Sequence, residues 1–274
     1  MLCVHARSLV HLSDLHFGAG RRLEQRCAAL VGRLATERID VVLVTGDVTE
    51  HGTAPELDRF MTVFADLAAA QRLVVVPGNH DRLGDDVAEL ITGGRRVRVE
   101  KRPGLHLVLV DSTRRYPGWS FVAHGELTPD DLDAIDAALD DAAPAAFVAV
   151  LMHHHPLPIP HESRLEAIGA ALGLPFGDAL AAGGELIARI RGRCDLLLHG
   201  HRHRPQAHHL AGRRPLLIHN AGCSPALGVG ARFDYAEGEL VAGPRWIGEP
   251  VVCPSAAPQP IPATAAGQPA LGIR

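Results

Sequence analysis

Five short strings in this sequence hold side chains able to grip a cation: Asp14-Leu15-His16, Gly46-Asp47, Gly78-Asn79-His80-Asp81, His153-His154-His155-Pro156 and Gly200-His201-Arg202-His203. Carboxylate, imidazole and amide oxygen donors suit borderline-hard divalent or trivalent ions such as Mn, Fe or Zn. None of the strings contains cysteine, which argues against a structural zinc site or an iron–sulfur centre. Asp14 and His16 are one residue apart, so an extended segment would point both to the same side. His201 and His203 share that spacing, although a tight turn would send them to different ions. There are more ligands here than one ion takes; two ions bridged by a shared carboxylate would use them. Taken singly, each string has a plainer reading as a turn, a cap or a surface histidine. Their shared placement is what favours chemistry.

Each string follows an apolar run: Leu9–Leu12, Val41–Val44, Leu73–Val76, Phe147–Leu151 and Leu196–Leu198. These runs read as strands, and the C-terminal edge of an open α/β sheet is where sites assemble. Between them lie helical stripes, Leu23, Cys27, Leu30, Val31 and Leu34, then Leu57, Phe60, Met61, Phe64 and Leu67. A further strand is expected at Leu105–Val110. Thr128-Pro129-Asp130-Asp131 has the form of a cap, a proline and first-turn acids ahead of a helix buried through Leu132, Ile135 and Leu139. Another helix is expected from about Asp178 to Arg191. The alternation predicts an α/β fold. The stretch from Gln206 to Val252 reads as short strands and turns that would form a second sheet, giving a two-sheet sandwich with helices outside.

The 274 residues are 47% hydrophobic, enough for a substantial core in one large domain or two small ones. A net charge of -4 gives no global pull toward nucleic acid or an anionic membrane, though a local basic groove would be compatible with it. The five cysteines are odd in number and widely spaced, which points to a reducing, cytoplasmic setting. Met1–Val10 is too short and polar for a signal peptide, and no apolar run approaches the roughly 20 residues that span a bilayer. The basic cluster Arg95, Arg96, Arg98, Lys101 and Arg102 reads as a solvated hairpin, with substrate steering or a subunit contact, as in a homodimer, as the other reading. Residues 1–253 are expected to form one domain, and the Pro/Ala-rich residues 254–274 a flexible tail.

In order and wording the strings resemble the calcineurin-like metallophosphoesterases, whose pattern is D-x-H, G-D, G-N-H-[D/E], H-x-P and G-H-x-H. The resemblance runs over residues 8 to 220, and no metal-ligand position is missing. It implies a four-layer αββα sandwich of two mixed β-sheets flanked by helices. It implies that Asp14, His16 and His203 bind one ion and Asn79, His154 and His201 a second, with Asp47 bridging. His153 rivals His154; the H-x-P spacing favours His154. The ions would be Mn and/or Fe, with Zn also tolerated. His80 would contact the phosphate and protonate the leaving group, and Asp81 would orient its ring. Asn79, His80 and Arg202 would touch the substrate; Arg204 and Trp119 are further candidates for the pocket wall.

Val110-Asp111-Ser112, Gly125-Glu126-Leu127 and His153 to Pro158 are most similar to the bacterial class III cyclic nucleotide phosphodiesterases and their glycerophosphodiesterase relatives. The resemblance therefore implies hydrolysis of a small phosphodiester, such as 3′,5′-cyclic AMP, by a metal-activated hydroxide. The alternatives are a phosphomonoesterase, a nucleotide pyrophosphatase, a nuclease or a non-catalytic protein-binding scaffold. The short stretch after Gly222 leaves little room for DNA-binding elements, and scaffolds of this kind have typically lost metal ligands.

Overall fold

In the computed structural model, which describes residues 6–115, 124–158 and 180–251, all six apolar runs are strands. Trp119 and the Pro/Ala-rich tail lie outside the described residues. One sheet holds β1 (Arg7–Leu12), β2 (Val41–Thr45) and β3 (Leu73–Val76), mutually parallel. The other is built on β5 (Leu105–Val110), β6 (Phe147–Leu151) and β7 (Leu196–His199), also parallel. β1, β2, β5, β6 and β7 are buried along nearly their whole length, which is why they read as continuous apolar runs and not as alternating ones.

The C-terminal strands do not make a sheet of their own, which corrects the sequence expectation. β8 (Gln206–Leu210) and β9 (Leu216–Asn220) complete the second sheet, whereas β10 (Val229–Ala236) and β11 (Glu239–Gly248) complete the first. The reason is hydrogen bonding: the order β1-β2-β3 leaves one side of β1 unpaired, and β10 fills it antiparallel with Leu9 opposite Phe233. β9 likewise covers the open side of β7, in parallel. Both sheets are therefore mixed.

Three apolar clusters define four layers. Leu43, Val76, Leu107, Leu151, Leu198 and Phe233 fill the space between the sheets. α1 (Arg21–Thr36), α2 (Ala54–Val63) and α3 (Ala65–Ala69) cover the first sheet through Cys27, Leu30, Leu34, Phe60 and Phe64. After the short α4 (Ala88–Thr92), α5 (Pro129–Asp140) and α6 (Gly183–Ile190) cover the second through Leu132, Ile135, Leu186 and Ile190. A last turn, α7 (Ser224–Leu227), precedes β10.

The predicted cap of α5 is present: Thr128 Oγ1 accepts from the Asp131 amide at 3.2 Å, and Asp131 Oδ2 accepts from the Thr128 amide at 2.9 Å. The second helical stripe is broken at Phe64, where α2 ends and α3 begins, and Met61 turns outward instead of joining the core. The basic cluster does form a hairpin, with β4 (Val97–Arg102) antiparallel to β5. Its charges are largely engaged: Arg96 binds Asp131, Arg98 donates to the Val75 carbonyl, and Lys101 pairs with Asp141.

One polar pair sits inside the intersheet layer. His11 on β1 and His219 on β9 meet Nδ1 to Nδ1 at 3.0 Å, and His11 Nε2 lies 2.7 Å from Thr45 Oγ1. One ring must donate and the other accept, so the contact needs a neutral partner. Burial depresses His219 to about 3. Burial, and then the proximity of His219 and His199, holds His11 well below the ordinary histidine range. The unfolded chain takes up a proton on each near pH 6.5, whereas the folded chain resists, so stability falls as pH drops below that value. Each histidine contributes about 1.4 kcal/mol per pH unit to that fall. Urea denaturation of His219→Gln between pH 6.5 and 5 should show a slope shallower than the wild type by about that amount.

Candidate dinuclear metal centre

The loop after β1 runs beside the loop after β2, tied by backbone bonds from Asp14 N to Gly46 O (3.1 Å) and His16 N to Asp47 O (2.9 Å). Leu15 and Phe17 point into the helix-covered core and are fully buried, so Asp14 and His16 face the other way. The segment is not extended, as the spacing had suggested. Asp14 (φ 54°), His16 (φ 50°), Asp47 (φ 48°) and His201 (φ 70°) all adopt left-handed backbone. Such residues cost on the order of 1–3 kcal/mol each and persist where surrounding structure over-determines them. The glycines of the strings have a steric cause. A Cβ on Gly46 would run into the His153 ring, and one on Gly200 into Ser13 Oγ and Asp14 Oδ2.

Three groups of candidate ligands converge among the described residues; one is His16, Glu50 and His80, and the other two hold residues of the ligand strings. Asp14, His16 and His203 bring candidate ligand atoms within 4.8 Å of one another, and so do Asp14, Asp47 and His153. In the first set His16 Nε2 and His203 Nε2 are 3.2 Å apart. Two nitrogens each about 2.1 Å from a common ion stand roughly 3.0–3.4 Å apart, so the spacing fits a shared cation. In the second set His153 Nε2 lies 3.1 Å from Asn79 Oδ1 and 3.3 Å from Asp47 Oδ2, and His201 Nδ1 lies 2.9 Å from the same Asn79 oxygen. Asp47 reaches both sets, since His16 Nε2 is 3.9 Å from its Oδ2. Asp14 Oδ2 is buried with no hydrogen-bond partner, an orphaned carboxylate oxygen that a cation would satisfy. Donor types and geometry fit two ions.

The electrostatics agree. Burial by itself would raise Asp47, but His153, His80 and His16 bring it well below the usual carboxylate range. Burial would lower His153, yet the Asp47 charge pushes it up to about 9, so a proton occupies ground that a cation would take. Burial, with His154 and His153 nearby, holds His201 well below its ordinary value, in the neutral form that ligates. His80 rises above the ordinary value, because the Asp47 charge and the Glu50 carbonyl outweigh its burial.

The geometry differs from two of the expected roles. His153, not His154, faces Asp47 and Asn79. His153 Nδ1 donates to the Thr45 carbonyl at 2.8 Å, which leaves Nε2 as the nitrogen aimed at the site. His154 instead meets Ser112 Oγ through Nδ1 at 2.9 Å. Nor does Asp81 orient the His80 ring. Its buried carboxylate accepts from the Gly78, Val48 and Thr49 amides and the Thr49 hydroxyl, pinning three loop segments. His80 Nδ1 donates to the Glu50 carbonyl at 2.8 Å. Glu50, which sequence reasoning missed, also places Oε2 2.7 Å from His16 Nδ1, and no spacing rule singled it out. Arg202 is buried at 5% exposure while Arg204 is exposed. A cavity of about 860 Å³ lies elsewhere, beside Asp195, Arg214, Glu237 and Glu239, and none of the metal-set residues lines it.

The sequence profile of the calcineurin-like phosphoesterases matches residues 7–205, a span that holds every residue of both ligand sets. The chain belongs to that family. It is 33% identical over 256 residues to a 3′,5′-cyclic adenosine monophosphate phosphodiesterase of Pseudomonas aeruginosa, covering 87% of this chain and 84% of that one. It is 32% identical to a probable cyclic nucleotide phosphodiesterase of Rhodopseudomonas palustris, covering 72% and 71% of the two chains. The fold matches a dimetal phosphatase of Danio rerio with TM-score 0.59 and 14% identity, over 86% of this chain and 98% of that one. A purple acid phosphatase from yellow lupin matches with TM-score 0.62 and 10% identity, over 86% and 50%. The protein is thus a metal-dependent phosphoesterase with an αββα sandwich fold.

Because Asp81 gathers four donors in a fully buried position, Asp81→Asn turns an NH₂ toward at least one N–H. An unsatisfied buried donor costs about 1–3 kcal/mol. Urea denaturation of the variant should show a loss of that size.

Proposed function

We propose that this chain is a dinuclear phosphodiesterase acting on small diesters, with 3′,5′-cyclic AMP the first substrate to test. The observation that carries the reading is Asp47, one buried carboxylate whose Oδ2 lies 3.9 Å from His16 Nε2 in one ligand set and 3.3 Å from His153 Nε2 in the other. Its support for a diester comes from the cyclic AMP phosphodiesterase relative, which aligns with most of the chain. On this reading Asp14, His16 and His203 hold one ion, Asn79, His153 and His201 the other, and Asp47 both. Mn and Fe suit these donors, as does Zn. When bound, two such ions lower the pKa of a water and offset charge on the phosphate oxygens.

The chain's own contribution is position and a proton. His80 is only part-buried, with its Nδ1–H committed to the Glu50 carbonyl, so its Nε2 is the nitrogen left for substrate. The Asp47 charge and the Glu50 carbonyl raise its pKa above the ordinary histidine value, which favours a proton on that nitrogen. As the bond from phosphorus to the leaving oxygen breaks, the Nε2 proton passes to that oxygen and His80 becomes neutral. A positioned general acid contributes about 10²–10⁴-fold.

His80→Ala should therefore retain its metals and lose turnover by about 10²–10⁴-fold. Asp47→Ala should lose metal loading and activity together. His153→Ala should lose one ion, whereas His154→Ala should keep both; metal analysis of the dialysed variants decides between the two histidines. The substrate test is hydrolysis of bis-p-nitrophenyl phosphate, p-nitrophenyl phosphate and 3′,5′-cyclic AMP by Mn-loaded protein. Diester turnover well above monoester turnover, with cyclic AMP hydrolysed, is the expected result. Diester activity without cyclic AMP hydrolysis would move the substrate to another diester, and a monoester preference would overturn the reading.

A further inference from the structure

The Asp111-Ser112-Thr113 turn after β5 touches no candidate ligand side chain in either set, yet it is fixed from three directions. Asp111 pairs with Arg82, two residues beyond His80, and Arg82 Nε donates to Thr113 Oγ1 at 2.7 Å. Arg96 donates to the Thr113 carbonyl at 2.8 Å and to the Glu126 carbonyl at 2.7 Å. The Glu126 amide in turn donates to the Ser112 carbonyl at 2.9 Å. The side chain held at the centre of this frame is Ser112, which is fully buried.

A serine hydroxyl has two acceptor sites and one donor. Ser112 Oγ accepts from the backbone amides of His153 (3.3 Å) and His154 (3.2 Å). With both acceptor sites engaged, its O–H is left to donate, and His154 Nδ1 lies 2.9 Å away. One hydroxyl thereby sets three features of the turn after β6. It holds both histidine amides, it engages His154 Nδ1, and it fixes the His154 tautomer with hydrogen on Nε2. In that tautomer His154 is a donor at Nε2 and offers no lone pair to a cation. Gly125 closes the other side, since a Cβ there would collide with the His154 ring.

We infer that Ser112 is a positioning residue for the second metal pocket: its hydroxyl selects His153 over His154 as the side chain presented to Asp47 and Asn79. The inference rests on the two-metal reading. Arg82 extends it, because the frame that holds Ser112 is tied to the segment carrying Asn79 and His80. The position of the His153 turn is thereby referred to the other wall of the same pocket.

The test is Mn²⁺ titration by calorimetry of chelator-stripped full-length protein, with circular dichroism and thermal melts confirming that each variant is folded at the titration temperature. Ser112→Ala should weaken one Mn²⁺ site by about 10–100-fold and leave the other within a factor of two, the range seen when a partner orienting a metal ligand is removed. Ser112→Cys keeps the side chain's bulk with a poorer donor and acceptor, and should fall between wild type and Ala. Metal affinities unchanged in both folded variants, or both sites weakened equally, would overturn the role of Ser112 while leaving the two-metal reading standing. A wild-type protein that binds fewer than two ions would overturn both.

Discussion

A buried carboxylate surrounded by imidazoles organises this molecule. Asp47 is 2% exposed, and burial would ordinarily drive such a group toward its neutral form. Three histidines, His153, His80 and His16, reverse that tendency and keep it charged. Once a charge is held there, the surrounding chain has little freedom. The loops after β1 and β2 must run side by side, their backbones must enter the left-handed region at Asp14, His16 and Asp47, and Gly46 must stay bare for the His153 ring to approach. Strain of this kind is tolerable because the loops hang from strands buried on both faces, where small displacements meet close-packed side chains.

Orientation of the rings comes from main chain and hydroxyl groups more than from carboxylates. His153 gives its Nδ1–H to the Thr45 carbonyl and His80 gives its own to the Glu50 carbonyl. A carbonyl fixes the tautomer as well as a carboxylate would, without adding another negative charge next to the site. Asp81 is spent differently. It satisfies amides at Gly78, Val48 and Thr49, and so joins the loop carrying Asn79 to the loop carrying Asp47. Its influence on His80 runs through the backbone it holds.

These distinctions also mark how far the sequence could be read. The strands were legible because parallel strands buried on both faces are unbroken apolar runs, and the ligand strings because they follow those runs. The choice between His153 and His154 was not legible: neighbouring residues on a turn diverge by an angle that spacing does not encode, and here the His153 amide is held by a hydroxyl 41 positions away. Glu50 was missed because it follows the Gly46-Asp47 string with no partner at a telling distance in sequence. Its partners His16 and His80 meet it only in space. The division of the last four strands between two sheets depends on which strand edges remain unpaired, a property of the assembled sheets that local pattern does not carry.

The ratio of charged to neutral ligands has a consequence for the chemistry. On the proposed reading the two ions meet two carboxylates, Asp14 and Asp47, and five neutral donors, His16, Asn79, His153, His201 and His203. Two divalent ions would bring about +4 against −3 from Asp14, Asp47 and Glu50, so imidazole-rich ligation would leave positive charge to attract the phosphate. A carboxylate-rich set would bind the ions as well and cancel that surplus. His201 fits the same logic, since burial already keeps it neutral and no proton need leave for it to ligate. The ligand types are therefore matched to an anionic substrate as much as to the metals themselves.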